Sequence, residues 1–131
     1  MQVNPCPGSS LGGARPKASV LTERGMLGIA KFPKNSDPYN VFLWEYLTLS
    51  LAKNAGIVVP PHKLVTIDKR PILIIDRFDR MGATRKPYSS AMSMLGANDG
   101  EVPSYLELVD AIRQYGAAPG VDCAELWRRT H

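Results

Sequence analysis

Cysteine is nearly absent from this sequence: Cys6 and Cys123 are the only two in 131 residues, and they share no CxxC spacing. A disulfide framework and a cysteine-ligated zinc site are thereby excluded, and two separate thiols in a reducing compartment are expected. Histidine is equally scarce. His62 and His131 have no cysteine or carboxylate at ligand spacing, so the pattern offers no metal centre and no Ser/His/Asp or Cys/His nucleophile set. Apolar runs are short, Ile72 to Ile75 being typical, whereas crossing a bilayer takes roughly 20 residues. No internal repeat or low-complexity tract occurs and no secretory leader is expected, so a cytoplasmic protein without membrane contact is expected.

Long runs of like charge are also missing. The net charge of +4 comes from cations scattered in pairs, such as Lys31 with Lys34 and Arg77 with Arg80. A diffuse excess of this kind does not make a nucleic-acid footprint, and it leaves a phosphorylated small molecule as an equally good partner. What the chain does have is an ordinary globular composition, 44% hydrophobic and 21% charged, which is enough apolar content to fold.

The chain begins with a loop. Met1 to Gly8 holds two prolines and a glycine without apolar period, and Ser9 to Lys17 continues with glycines and polar residues. Ala18 to Leu21 and Leu27 to Phe32 are apolar, β-branched runs joined by Thr22-Glu23-Arg24-Gly25, which predicts a β-hairpin with Gly25 at positive φ. Asp37-Pro38 reads as an N-cap and first helical residue, with Val41, Trp44, Leu47, Leu51 and Ala55 as the apolar stripe and Gly56 as the stop. His62 to Ile67 and Ile72 to Arg77, separated by Asp68 to Pro71, predict a second strand pair. Ile72 to Ile75 is so continuously apolar that it belongs at the centre of the sheet. Beyond Met81 come a helix after Ser104 and another after Asp122, each residue an N-cap candidate.

Three pieces carry candidate chemistry. The loop Ser10 to Lys17 combines glycine backbone, hydroxyls and the cations Arg15 and Lys17, the ingredients of a phosphate nest, though it matches neither GxxxxGK[ST] nor GxGxxG and also reads as a surface loop. Lys31 lies near the end of an apolar strand, and Glu45 lies on the following helix. A strand lysine held by a helix glutamate is how protein kinases present an amine to nucleotide phosphates; a snorkelling lysine and a solvated glutamate are the plain alternative. Finally, Ile74 to Arg80 takes an apolar strand into alternating charges, either an adenine-reading hinge with Phe78 beside it or a salt-bridged turn.

In that order, SSLGGARPK, IAKFP, WEYLTLSLAKNAGI and IIDRFDR resemble the HipA family of bacterial serine/threonine kinases, toxins of toxin–antitoxin pairs, from about Ser9 to Arg80 and more loosely beyond. The resemblance implies an α+β fold: a kinase-like N-lobe over 1–82, a small antiparallel sheet with one crossing helix, and over 83–131 the first helices of a truncated C-lobe. It places Ser10 on an autophosphorylated serine, Gly12, Gly13, Ala14, Arg15 and Lys17 on the ATP-covering loop, and Lys31 on the phosphate-binding lysine with Glu45 as its partner. Asp76 and Phe78 fall on the adenine-reading hinge, and Asp79 and Arg80 complete the RFDR signature.

The implied cofactors are ATP and Mg2+. The family's catalytic aspartate, its downstream asparagine and the metal-binding aspartate fall after the end of this sequence, so the chain by itself is expected to be inactive and to supply no Mg2+ ligand. Expected partners are ATP and an antitoxin protein, with nucleic acid reached only through the antitoxin. Self-association through apolar faces of the C-lobe helices is also expected. Two rivals from other classes are a non-catalytic split subunit that docks a partner and a basic DNA-binding module.

Overall fold

The computed structural model describes residues 15–82 and 84–130. Two strands form first, β1 (Lys17–Leu21) and β2 (Leu27–Lys31), paired antiparallel with Leu21 across from Leu27 and Lys17 across from Lys31. The turn between them closes because Gly25 sits at φ 70° and donates its N–H to Thr22 O at 2.9 Å, a conformation that glycine adopts most readily. The second pair is β3 (His62–Ile67) and β4 (Arg70–Asp76). Their turn is Asp68-Lys69, at φ 49° and 63°, the two left-handed residues of a tight hairpin.

That turn is shorter than the sequence suggests. Pro71 looks like a strand stop, yet β4 starts at Arg70, with Pro71 across from Thr66 of β3. The register of β2 with β4 stops at Leu73. Pro71 therefore lies beyond the end of β2, where a missing N–H breaks no ladder bond.

The sheet order is β1-β2-β4-β3, all neighbours antiparallel. β4 is interior, as its apolar run predicts: Ile72, Leu73 and Ile74 are all buried, and Leu73 is completely so. Successive strand residues point to opposite faces. Ile72 and Ile74 thus join Val20 and Ala30 in one cluster, flanked by Phe32 and Val65, while Leu73 lies on the opposite face with its register partners Lys31 and Leu64.

Helix α1 (Val41–Asn54) connects the two hairpins. It begins later than Asp37-Pro38 predicts. Asn40 is the cap, its Oδ1 accepting the Leu43 N–H at 3.0 Å, because the Asp37 carboxylate is engaged by Arg15 and by the Lys34 N–H. The helix stops as expected, with Gly56 at φ 78°.

The inward face of α1 differs from the stripe inferred from periodicity. Phe42 is buried and Glu45, Tyr46, Leu49 and Ala52 are half-buried, whereas Leu43, Trp44, Leu47 and Leu51 are exposed. Apolar residues surround this helix, so spacing alone does not say which stripe turns inward.

After β4 come the short strands β5 (Arg80–Met81) and β6 (Thr84–Arg85). The first compact unit ends at Lys86 and a second begins at Pro87. The second holds α2 (Ala91–Leu95), α3 (Tyr105–Tyr115) and α4 (Pro119–Thr130). Ser104 caps α3 in a reciprocal box: its Oγ accepts the Glu107 N–H at 3.3 Å, and its own N–H donates to Glu107 Oε2 at 2.6 Å. Helix α4 starts three residues before the cap expected at Asp122, since Pro119 suits the first helical position. Asp122 lies instead in the first turn, where its charge complements the helix dipole.

Candidate functional site

Lys31 is the last residue of β2, and Glu45 is one turn into α1. The helix crosses the sheet so that Lys31 Nζ donates to Glu45 Oε1, with both side chains mostly shielded from solvent. Lys17, on the edge strand, is the cross-strand neighbour of Lys31 and shares its face. Its ammonium donates to Arg15 O at 3.3 Å, just before the start of β1.

Arg15 reaches Asp37 rather than the sheet. Its Nε and its NH2 group lie 3.1 and 3.0 Å from Asp37 Oδ1. The guanidinium holds the Asp37 carboxyl below the usual carboxylate range, and the Lys34 N–H adds to the effect; the same bond raises the pKa of Arg15. The segment entering β1 is therefore tied to the segment entering α1. Ser10, Gly12, Gly13 and Ala14 lie outside the described residues.

Residues 9–131 match the HipA-like C-terminal domain family. The chain belongs to that family. No curated protein matches it. The HipA-like chain is α+β, with a four-stranded antiparallel sheet and four helices among the described residues.

The remaining candidates of this HipA-like chain lie where β4 runs out. Asp76 is paired in register with Gly28, and a side chain at Gly28 would meet Thr22 at 2.8 Å and the Ile75 carbonyl at 3.0 Å, so only glycine fits there. The Asp76 N–H donates to Pro61 O at 2.9 Å, and the Arg77 N–H to Leu27 O at 2.9 Å. Those two donors serve the fold, which leaves Asp76 its carboxylate, 3.5 Å from Arg24. Phe78 is 65% exposed.

The RFDR stretch is an internal clamp. Arg77 grips Asp79 with two hydrogen bonds, Nε to Oδ1 at 2.8 Å and NH2 to Oδ2 at 2.6 Å, a bidentate geometry with fixed direction. Asp79 is buried, and Arg77 holds its carboxyl below the ordinary range. Its carbonyl also accepts the Lys86 N–H at 2.9 Å. Arg80 stands 3.5 Å from the same carboxylate, with its buried Nε making no hydrogen bond.

The structure thus joins Lys31 to Glu45 and places Lys17 beside them, while Arg15 is drawn to Asp37 and Asp76 to Arg24. Asp37 and Arg24 were invisible as site partners because 22 and 52 residues separate them from Arg15 and Asp76. No helix among the described residues is long and apolar enough to cross a membrane.

Proposed function

We propose that these residues form the nucleotide-gripping part of a HipA-like protein serine/threonine kinase. The observation that carries this reading is the Lys31–Glu45 ion pair across β2 and α1. An ammonium has three donors. One is directed to Glu45, which orients the side chain and leaves two for phosphate oxygens. Lys17, across the strand pair on the same face, adds positive potential where phosphates would lie, while Asp76 and Phe78 mark the adenine end.

ATP bound here supplies the transferable phosphoryl group, and the chain's own residues position it. No catalytic group and no Mg2+ ligand is assigned among these residues, so the reading has this chain hold the nucleotide without transferring phosphate, in a cytoplasmic setting where an antitoxin protein is its partner and nucleic acid is met only through that partner. Calorimetric titration of the 131-residue chain with ATP tests it. Lys31→Met is expected to weaken binding by about 10- to 100-fold, the worth of one or two charge-assisted hydrogen bonds, with unchanged far-UV circular dichroism. Equal affinity in the variant refutes the reading, and Mg2+-dependent labelling of Ser10 by ATP refutes the inactivity.

A second reading, a docking module for a protein partner, is favoured by the exposed stripe Leu43, Trp44, Leu47 and Leu51 on α1. The exposed Leu106, Tyr115, Val121 and Trp127 of the second unit support self-association in the same way. The same titration separates the two readings, since a docking module gives no saturable ATP binding.

A further inference from the structure

Asp79 is the one charged residue that the fold buries among those described, and its carboxylate is bound by a guanidinium only two residues away. Taking both charges out of water offsets most of what their attraction returns, so such a pair adds little stability over an apolar pair of the same size. What the bidentate fork does supply is direction. Two parallel bonds, 2.8 and 2.6 Å long, close a bracket of side chains over a single intervening residue, Phe78.

Both ends of this tripeptide are also anchored through the backbone. The Arg77 N–H donates to Leu27 O at 2.9 Å, at the start of β2, and Asp79 O accepts the Lys86 N–H at 2.9 Å, just after β6. Arg80 brings a second guanidinium to 3.5 Å from the same carboxylate. Phe78 nevertheless remains 65% exposed. A large apolar ring is thus carried on a fixed stretch of backbone and shown to solvent, although burial would be the favourable place for it.

The nucleotide reading, on which this inference rests, puts the phosphates at Lys31 and the base beyond the end of β4. Lys31 is across from Leu73, well before Phe78 along the chain, so the two ends of a nucleotide would meet separate parts of the protein. The Asp76 and Arg77 N–H groups are engaged by Pro61 O and Leu27 O, which leaves the base to Phe78. Its ring suits that task, because an aromatic side chain stacks on the π-face that every base presents.

We propose that the Arg77–Asp79 clamp is a positioning device that presents the Phe78 ring to the base of a bound nucleotide. Arg77 and Asp79 touch no ligand and act only through Phe78. The clamp holds the ring ready before the nucleotide arrives, so the cost of ordering that stretch of chain is not charged against binding. The phosphate end is untouched by it.

Calorimetric titration of the 131-residue chain with ATP and with inorganic tripolyphosphate, which has no base, provides the test. Phe78→Ala should weaken ATP binding by about 5- to 150-fold, the worth of one stacked base, and leave tripolyphosphate binding unchanged. Arg77→Lys keeps the charge but loses the planar fork. It should weaken ATP by at least about fivefold, the lower end of the same range, again without effect on tripolyphosphate. In the double variant Arg77→Lys should add nothing to Phe78→Ala, since with the ring gone the clamp has nothing to position. The proposal is overturned by an Arg77→Lys chain that binds ATP like the parent, that loses tripolyphosphate in parallel, or whose effect persists without the ring. Unchanged ATP affinity in Phe78→Ala, an exposed substitution, overturns it independently. In all of these cases Lys31→Met still weakens ATP binding and the nucleotide reading survives, whereas a parent chain without saturable ATP binding overturns both.

Discussion

Replacing Leu73 by alanine tests the assignment of β4 as the buried centre of the sheet. Leu73 is fully buried, between Lys31 of β2 and Leu64 of β3 in register. The substitution removes three carbons, about 2.4 kcal/mol of transfer free energy at ~0.8 kcal/mol per buried group. The close-packed strands on either side cannot collapse fully into the space, so a cavity contribution brings the loss to about 3–5 kcal/mol. For a unit of this size that corresponds to a fall of at least about 10 °C in Tm. Urea and thermal unfolding followed by far-UV circular dichroism measure it. A loss below about 1 kcal/mol at unchanged m-value would show that β4 is not enclosed on both faces. Trp44→Ala is the internal control. The stripe read from spacing buries Trp44, whereas in the structure it is 59% exposed, so its truncation should cost under about 1 kcal/mol.

Two more perturbations follow from single interactions. The Asp37 and Asp79 carboxyls are held low by Arg15 and Arg77, so their folded-state pKa lies below the unfolded value near 3.9. Their stabilisation is fully present above that value and lost as pH falls through the folded one; the stability gap between the parent chain and Asp79→Asn should therefore be wide at neutral pH and narrow below about pH 4, read by thermal unfolding. Ser104→Ala removes one half of the α3 capping box and should lower amide protection in the first turn of α3 by about 1 kcal/mol in hydrogen exchange, with the β4 amides unaffected.

What the sequence reveals follows the range of the interaction. The β1–β2 turn is legible because Gly25 announces a positive φ, the centre of the sheet because four consecutive apolar residues need two buried faces, and the α3 cap because Ser104 and Glu107 are three residues apart. The strand boundary at Arg70 is harder to read, since Pro71 looks like a stop yet sits where its missing N–H does no harm, and so is the start of α4, where Pro119 takes the first helical position ahead of Asp122. The Lys31–Glu45 pair is readable because a strand and the next helix bring it together over 14 residues. The attachments of Arg15 to Asp37 and of Arg24 to Asp76 are not, because they depend on where the ends of separate elements meet in space.

The rotation of α1 is where these levels meet. Hydrophobic area does not choose the observed rotation: Leu43, Trp44, Leu47 and Leu51 on the outside are at least as apolar as Phe42, Tyr46, Leu49 and Ala52 on the inside. The inward stripe is distinguished by its polar partners. Glu45 meets Lys31 at one end, and Ser50 and Tyr46 meet His62 at the other. Turning the helix to bury Trp44 would strip the half-buried Lys31 ammonium of its carboxylate and His62 of its hydroxyl, and leaving a half-buried charge unpaired costs more than one extra apolar side chain returns. The residues that give this helix its chemistry therefore also set its orientation, and the outward apolar stripe is the consequence.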